Sequence, residues 1–277
     1  MKLKAVAGRF QTLECLDAYS GLPVFKARLA LSDDSKRDSV ASERRILTVA
    51  PGTVIPGRRV IEADGERYII GSKSVDGFYG EAIRDNYVAH EAPLQAEIRT
   101  LGQICRDESG RVLYTNLVWF KNAAFVEQTS DLVPEFQAYF SSAEDVEPGQ
   151  IAEIAGKHYL FRAVNTGPSG TSIVMAESMQ PGCIELAGVT AGVYDPLTDL
   201  ISETASQVLI VRLRWQALFQ YRRSSAPKFG PDDIQVAMAK SVAAVPGMRL
   251  TLADGEWFVQ AVADEDEAWL CRATRHA

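Results

Sequence analysis

The sequence predicts an all-β protein made of three tandem small antiparallel β-barrel or sandwich units. Two observations carry this prediction: one motif recurs three times, and short runs of alternating polar and apolar residues are separated by turn residues. The chain has 277 residues, 47% hydrophobic and 23% charged, which is enough apolar content for packed cores. Length alone favours one or two domains. The repeat instead predicts three units, at residues 1–92, 93–181 and 182–277.

The recurring motif is a Pro-Gly pair, a short apolar strand, a second glycine and then an aromatic residue. The Pro-Gly pairs lie 92 and then 98 residues apart, and the second glycine follows the first by 8, 7 and 8 residues. The aromatic residue always lies three positions further on. We expect structural roles for all of them, with the glycines in turns and the aromatics in the cores. The motif residues are Pro56, Gly57, Gly65, Tyr68, Pro148, Gly149, Gly156, Tyr159, Pro246, Gly247, Gly255 and Phe258.

Each unit is expected to hold five or six short strands. Period-two alternation and β-branched residues indicate strands at 45–49, 80–84, 172–176, 234–238, 249–252 and 268–273. Asp64-Gly65 and Asp254-Gly255 are predicted hairpin turns. Further turns are predicted at 16–23, 75–78, 105–112 and 193–200, where Asp, Ser, Gly and Pro cluster. Helical signals are weak, and residues 204–215 favour a strand.

The distribution of ionisable residues disfavours several chemistries. The net charge is −7, from 29 basic and 36 acidic residues, which argues against a general nucleic-acid-binding protein. The cysteines are scattered, so a zinc site or disulfide framework has no support and buried, reduced thiols are expected. No histidine lies in a recognisable catalytic context. We therefore predict no catalytic residue, no cofactor and no metal site. The residues concerned are Cys15, Cys105, Cys183, Cys271, His90, His158 and His276.

Membrane insertion and secretion also lack sequence support. No stretch approaches 18 consecutive apolar residues, and the apolar run after Met1 is too short for a secretory signal. We therefore expect no membrane-spanning helix and no membrane partner.

Two sets of charged residues admit more than one function. Carboxylates cluster at 62–66 and at 264–267, as in hydrolases or calcium sites, but they lie at predicted turns without the spacing of a calcium loop. Solvated turns are the simpler interpretation. A locally basic stretch fits either a contact with an acidic partner or nucleic acid, or a solvated surface loop. This stretch consists of Arg212, Arg214, Arg222, Arg223 and Lys228.

The third copy of the motif, from Val245 to Val262, resembles the C-terminal half of the small head–tail joining proteins of tailed bacteriophages, the adaptors and stoppers of the neck. The shared pattern is Pro-Gly-x-Arg-hydrophobic followed by Gly-x-x-aromatic-hydrophobic. In the second copy, Gln150-Ile151 replaces the arginine-containing step. Family members usually consist of one unit, so a threefold tandem departs from the family pattern. The first copy matches through Pro56, Gly57, Arg59, Val60, Gly65 and Tyr68.

The resemblance implies small β-barrels packed as rings around a DNA channel, without catalysis. On this basis we expect a non-enzymatic virion structural protein of the neck or proximal tail, assembled in the bacterial host cytoplasm. Its expected partners are further copies of itself in a ring and other neck, portal or tail proteins. Non-specific proximity to packaged DNA is also expected, but no small-molecule substrate.

A second hypothesis is a tail-tip or receptor-binding module that recognises carbohydrate. Exposed aromatic residues could stack on sugars, whereas alternating aromatics in a strand are more often core residues. The candidate platforms are Trp119, Phe120 and Phe125, and Trp215, Phe219 and Tyr221.

Overall fold

The strands form three closed, six-stranded antiparallel barrels in tandem, which confirms the predicted all-β class. The computed structural model describes residues 12–31, 44–78, 81–119, 136–166, 170–195, 200–213, 233–265 and 267–275. Barrel 1 contains β1 (Leu13–Asp17), β2 (Pro23–Leu31), β3 (Arg44–Val49), β4 (Val60–Ala63), β5 (Glu66–Phe78) and β6 (Glu81–Glu91). Barrel 2 contains β7 (Leu94–Arg99), β8 (Arg111–Trp119), β9 (Phe136–Ser141), β10 (Ile151–Ile154), β11 (Lys157–Thr166) and β12 (Thr171–Ser178). Barrel 3 contains β13 (Ile184–Asp195), β14 (Leu200–Leu213), β15 (Asp233–Ala239), β16 (Arg249–Leu252), β17 (Gly255–Asp264) and β18 (Ala268–Arg275).

All three barrels have the same strand order. The first strand pairs with the second, the second with the third, the third with the sixth, the sixth with the fifth and the fifth with the fourth, which pairs with the first. In barrel 1, the β1–β4 pairing of Leu16 with Glu62 closes the cylinder. Closure pairs the backbone groups that would otherwise lie at the two edges of an open sheet. Each repeat is therefore a complete small barrel.

Alternation along the strands places a small apolar core inside each barrel. Phe140 and Phe161, both almost fully buried, meet in barrel 2 with ring centroids 5.7 Å apart. The core of barrel 1 is formed by Cys15, Ala27, Leu47, Val49, Ile61, Ala63, Tyr68, Ile70, Tyr87 and Ala89. The core of barrel 3 includes Val189, Ile210, Val236, Met238, Leu250, Leu252, Trp257, Val259 and Cys271.

The hairpin after the fourth strand has the same turn in the first two barrels. Asp64 and Gly65 have φ values of 56° and 78°, and Ala155 and Gly156 have φ values of 50° and 73°. Two consecutive residues with positive φ are typical of a type I′ turn, which matches the twist of antiparallel strands.

In the third barrel this hairpin is shifted by one residue from the predicted turn. Leu252 pairs with Gly255, so the turn consists of Ala253 and Asp254. Gly255 is the first residue of β17 and has a φ of 134°. The inward aromatic residue shifts as well: Trp257 belongs to the core, whereas Phe258 is half-buried on the other side of the strand. The expectation that Phe258 is the core aromatic is therefore wrong.

The turn at the Pro-Gly pair shows a matching shift in the first copy. Gly149 and Gly247 have φ values of 90° and 89°, as expected for the third residue of a type II turn. In the first copy, Arg59 instead takes the left-handed conformation, with a φ of 55°, and its amide donates to the carbonyl of Pro56. The first copy therefore has one more residue than the other two between its Pro-Gly pair and the following strand. In the third copy the second glycine lies one position after the hairpin turn, so the spacing between the two glycines is still 8 residues in the first and third copies.

Two other local predictions need correction. Residues 75–78, predicted as a turn, belong to β5, and a short helix α1 (Leu101–Cys105) precedes the turn predicted at 105–112. The Thr100 hydroxyl accepts from the amide of Gln103, whose side chain accepts from the amide of Thr100, so both sides of a capping box are present. The strand predicted at 204–215 is confirmed up to Leu213; the residues beyond it lie outside the described part of the chain.

The chain divides into two compact units. The first comprises Met1–Glu97, Val112–Pro148 and Glu153–Ser178, and the second comprises Ile98–Arg111, Gly149–Ala152 and Met179–Ala277. The first unit thus contains barrel 1 and most of barrel 2, and the second contains barrel 3 together with helix α1. No helix in the described segments is long and apolar enough to cross a membrane.

Candidate assembly interface

The outer surface of barrel 2 has an apolar side formed by β8, β9 and β12. Because Phe140 points into the barrel, its neighbour Tyr139 points outward. Tyr139 is paired with Asn116 on β8 and with Ile173 on β12, so these three positions share one outward face. We call this side of a barrel, made of its second, third and sixth strands, the acceptor face.

Elements of barrel 1 cover the acceptor face of barrel 2 within the first compact unit. Val60 and Ile69, on the outer side of β4 and β5, are fully buried in one apolar cluster with Tyr114 and Tyr139. The turn between β1 and β2 adds Tyr19, whose ring centroid lies 5.1 Å from that of Tyr114. Such aromatic pairs contribute about 0.5–1.5 kcal/mol beyond the area they bury.

Charged side chains flank this tyrosine pair. The guanidinium of Arg58 lies 4.6 Å from the centre of the Tyr19 ring, and that of Arg67 lies 4.7 Å from the centre of the Tyr114 ring. Arg58 also pairs with the buried carboxylate of Glu144 at 3.6 Å. Burial, and then the nearby Glu144 carboxylate, raise the pKa of Tyr19 to about 12. The tyrosine therefore remains neutral, and the cations contribute cation–π attraction.

The β1–β2 turn is fixed by its own sequence. The Asp17 carboxylate accepts hydrogen bonds from the amides of Tyr19 and Ser20 at 3.1 and 2.8 Å. Gly21 takes a φ of 69°, which a residue with a side chain rarely adopts. This Asp-turn geometry holds Tyr19 in position against barrel 2.

Barrel 3 has an equivalent acceptor face, on β14, β15 and β18. Val211 is paired with Ala237, and Ala237 with Leu270, so the three residues share the outward side. All three are buried, although they point away from the barrel core. Helix α1 contacts all three strands and contributes the buried Ile104 and Cys105. It follows that the connection between β7 and β8 covers this face.

Helix α1 lies against barrel 3 at very close range. The Thr100 hydroxyl, which caps the helix, also donates to the carboxylate of Glu267. A Cβ atom on Gly102 would lie 2.8 Å from both the carbonyl oxygen and Oε2 of Glu267. Only glycine permits this approach without displacement.

The acceptor face of barrel 1 differs in character. Arg28, Thr48 and Asn86 occupy its central row in register. Arg28 is exposed, and the Thr48 hydroxyl donates to the Asn86 side-chain oxygen at 2.8 Å. Lys26, next on the same side of β2, and Arg84 on β6 are also exposed. This face of barrel 1 thus exposes basic side chains beside the half-buried Ile46 and Val88, which are paired on the same side, whereas in barrels 2 and 3 the face is apolar and covered.

The distribution of charge between the three repeats is a sequence signal for this difference. Residues 1–92 contain 14 basic and 13 acidic residues, a net charge of +1. The corresponding counts are 6 and 11 for residues 93–181, net −5, and 9 and 12 for residues 182–277, net −3. Residues 1–92 are thus the only repeat with a net positive charge. Strand register is needed to show which of these charges lie on one face of the barrel.

The basic stretch predicted as a partner contact is described only at its first residue. Arg212 forms ion pairs with Glu185 and with Asp254, whose Oδ1 lies 2.6 Å from Nη2, and its guanidinium lies 6.0 Å from the Trp257 ring centre. Its described contacts are therefore within barrel 3. The other four residues of the stretch, and Phe120, Phe125, Trp215, Phe219 and Tyr221, lie outside the described residues.

The described carboxylates of the clusters at 62–66 and 264–267 include several that form ion pairs or hydrogen bonds with neighbouring side chains. Glu62 pairs with Arg67 at 3.3 Å, and Asp264 pairs with Lys240 at 2.5 Å. The Tyr68 hydroxyl donates to Glu66 at 2.5 Å. Over the described ranges, no group of three or more His, Cys, Asp or Glu residues is arranged to hold a metal ion.

The cysteines are free and buried, as predicted. Burial raises the pKa of Cys15 to about 11 and the pKa values of Cys105 and Cys271 to about 12. Because the thiolate is the nucleophile, these thiols are unreactive at neutral pH. His90 is buried and stacks on Tyr139, with ring centroids 5.7 Å apart.

Comparisons of the chain with protein-family models, with curated proteins and with solved structures give no match.

Replacing Gly102 by alanine tests the docking of α1. Glycine-to-alanine changes inside helices ordinarily stabilise by about 0.5–1 kcal/mol. We expect the opposite sign here, a loss of about 1–3 kcal/mol, because the new methyl group meets Glu267. Chemical denaturation would measure the change, with Gly57→Ala as control, since a Cβ at Gly57 meets no atom within 4 Å. A more stable Gly102→Ala protein would contradict the close contact.

The Arg212–Asp254 pair predicts a pH dependence of stability. The hydrogen bond from Arg212 lowers the pKa of Asp254 from 3.8 to about 2 in the folded protein. Its contribution is therefore complete above pH 3.8 and is lost as the pH falls through about 2. Because the Asp254 side chain is 45% exposed, we expect Asp254→Asn to cost on the order of 0.5 kcal/mol at neutral pH. Denaturation curves should also lose less stability between pH 4 and pH 2 in the variant than in the parent.

The control for this experiment is Asp64→Asn, which makes the same charge change at an exposed turn residue whose positive φ asparagine tolerates. Identical pH profiles for the parent and Asp254→Asn would contradict the assigned ion pair.

Proposed function

We propose that the protein is a non-enzymatic structural component of a tailed-bacteriophage virion, at the head–tail interface or in the proximal tail. In this role it assembles through protein–protein contacts around the DNA channel. The observation that carries the proposal is the repeated use of acceptor faces. The connection after the first strand packs on another barrel in both cases that the structure describes, through Tyr19 and through α1.

The placement of the phage-like motif is consistent with this role. The Pro-Gly turns and the second glycines frame the β4–β5, β10–β11 and β16–β17 hairpins, so the residues that carry the resemblance build the barrel. Arg59 of the motif also serves packing. Its Nε donates to the carbonyl of Ile70 at 3.1 Å, and its guanidinium lies against Gly170 of barrel 2.

The environments of the cysteines and of the hairpin carboxylates support a structural role for these side chains. Three of the cysteines have pKa values raised to 11–12 by burial, and the carboxylates at the hairpins form hydrogen bonds or ion pairs with neighbouring side chains. Enzymes usually shift the pKa of an acid or base toward the working pH, not away from it. An assembly function uses the features that are present: rigid barrels, buried outer faces and variable connections.

Immunogold electron microscopy would test the proposal. Particles produced from the genome that encodes this chain are labelled with antibody against the purified protein, with an antibody against an unrelated cytoplasmic protein as control. We expect label at the neck or proximal tail. Label at the tail tip or on fibres would favour a receptor-binding module instead, and unlabelled particles would contradict a virion function.

A further inference from the structure

We propose that the outer side of β16 and β17 in barrel 3 docks on the acceptor face of barrel 1 in a second copy of the chain. We call the outer side of a barrel's fourth and fifth strands its donor face. The contact repeats between copies the joint that connects barrel 1 to barrel 2 within one copy. The inference rests on the proposed function in one respect, namely that the protein works by assembling with further copies.

In the joint within the chain, the donor face of barrel 1 lies on the acceptor face of barrel 2. Val60 and Ile69, paired on β4 and β5, are buried there in one cluster with Tyr114 and Tyr139. Arg67, two positions from Ile69 on the same side of β5, has its guanidinium 4.7 Å from the centre of the Tyr114 ring. The joint is thus made by defined positions on β4, β5, β8 and β9.

Strand register identifies the same donor positions in barrel 3. β4 and β16 each have four residues, and each forms four successive pairs with the following strand. The residues of barrel 3 at the positions of Val60, Ile69 and Arg67 are, in that order, Arg249, Phe258 and Glu256.

Burial at these positions separates barrel 3 from the other two barrels. In barrel 2, Phe161 points inward, so its neighbour Leu160 points outward. Leu160 and Ile151, the first residue of β10, are nevertheless buried, as are their counterparts in barrel 1. In barrel 3, Phe258 is only half-buried and Glu256 is exposed. The donor face of barrel 3 therefore presents side chains that the other two barrels bury.

The acceptor positions of barrel 1 follow from the same register. Thr48 is the central residue of this face, as Tyr139 is in barrel 2. Lys26 precedes Arg28, the partner of Thr48, by two residues on β2, which is the place that Tyr114 has on β8. Lys26 and Arg28 are both exposed. An exposed cation therefore takes the place of the tyrosine ring.

The two faces carry opposite charges at matching positions. Where cation and ring meet in the internal joint, the proposed interface brings the Glu256 carboxylate to the Lys26 ammonium. Arg249 is also offered a carboxylate, because the exposed Glu14 is paired with Lys26 across β1 and β2. Such complementarity favours a second copy in this orientation. Because the contact joins two different surfaces, it is heterologous, the type that produces closed rings or filaments.

A charge swap tests the central pair of this interface. Lys26→Glu and Glu256→Lys each place like charges opposite one another, whereas a chain that carries both substitutions restores an opposite pair in reversed order. Both positions are exposed, so the fold should tolerate the changes. The control, Lys157→Glu, reverses an exposed charge on β11 of barrel 2, outside the two faces.

Sedimentation velocity of the full chain is the readout. We expect the parent and Lys157→Glu to self-associate, more weakly at high salt. Lys26→Glu and Glu256→Lys should each associate at least about tenfold more weakly, and the chain with both substitutions should recover most of the parent's association. An equimolar mixture of the two single variants should also associate more strongly than either variant alone, because each supplies the face that the other lacks. Recovery also shows that the substituted chains are folded.

Several outcomes would overturn the proposal. It fails if the parent is monomeric at its highest soluble concentration, or if the doubly substituted chain associates no better than the single variants. If the parent and both single variants associate equally well, this interface is wrong while an assembly function stands. If Lys26→Glu instead loses binding to a labelled DNA duplex and keeps normal self-association, the basic face of barrel 1 recognises nucleic acid and not a second copy.

Discussion

The structure depends on how the outward side of the second, third and sixth strands of each barrel is covered. A closed barrel buries its inner side chains, but closure does nothing for apolar residues that point outward. Val211, Ala237 and Leu270 point outward and are nevertheless buried. They require a covering element, and helix α1 provides it. In barrel 2, Tyr139 has the same requirement and is covered from barrel 1.

This requirement explains why the barrels share one topology while their first connections differ. The connection is a short turn with Asp17 and Gly21 in barrel 1 and a capped helix in barrel 2, whereas in barrel 3 the strands β13 and β14 are themselves 12 and 14 residues long. Each of the first two is shaped by what it covers: Tyr19 completes an aromatic cluster, and Gly102 permits close approach to Glu267. Constant barrels with variable connections are typical of repeat proteins, in which each repeat is stabilised by its neighbours. Function then resides in the connections and in the faces they reach.

The sequence predicted the fold class and most strands because their signals are local. Period-two alternation located β3, β15 and β16, and Asp64-Gly65 was sufficient for the first hairpin. Trp257, and not Phe258, is the core aromatic because the spacing of the glycines does not determine strand register. A one-residue shift in register moves each side chain to the opposite face of the strand. Helix α1 did have a signal, the Thr100–Gln103 capping box, although five residues are too few for a helical period.

The candidate interface was less predictable than the fold. Which charged residues share a face depends on pairing between β2, β3 and β6, over about 60 residues of sequence. The expected use of Arg212 as a partner contact followed from its position in a basic stretch. Its ion pairs with Glu185 and Asp254 join residues that are far apart in the sequence and are brought together only by the pairing of strands.

A double-mutant cycle on Tyr19 and Tyr114 tests the central claim most directly, that the first connection of one barrel stabilises the acceptor face of another. Denaturation of the parent, Tyr19→Ala, Tyr114→Ala and the double variant gives the coupling free energy between the two rings. The ring contact at 5.1 Å predicts a coupling of about 0.5–1.5 kcal/mol. Additive effects, with a coupling below about 0.3 kcal/mol, would show that the two barrels do not stabilise each other through this contact and would contradict the account.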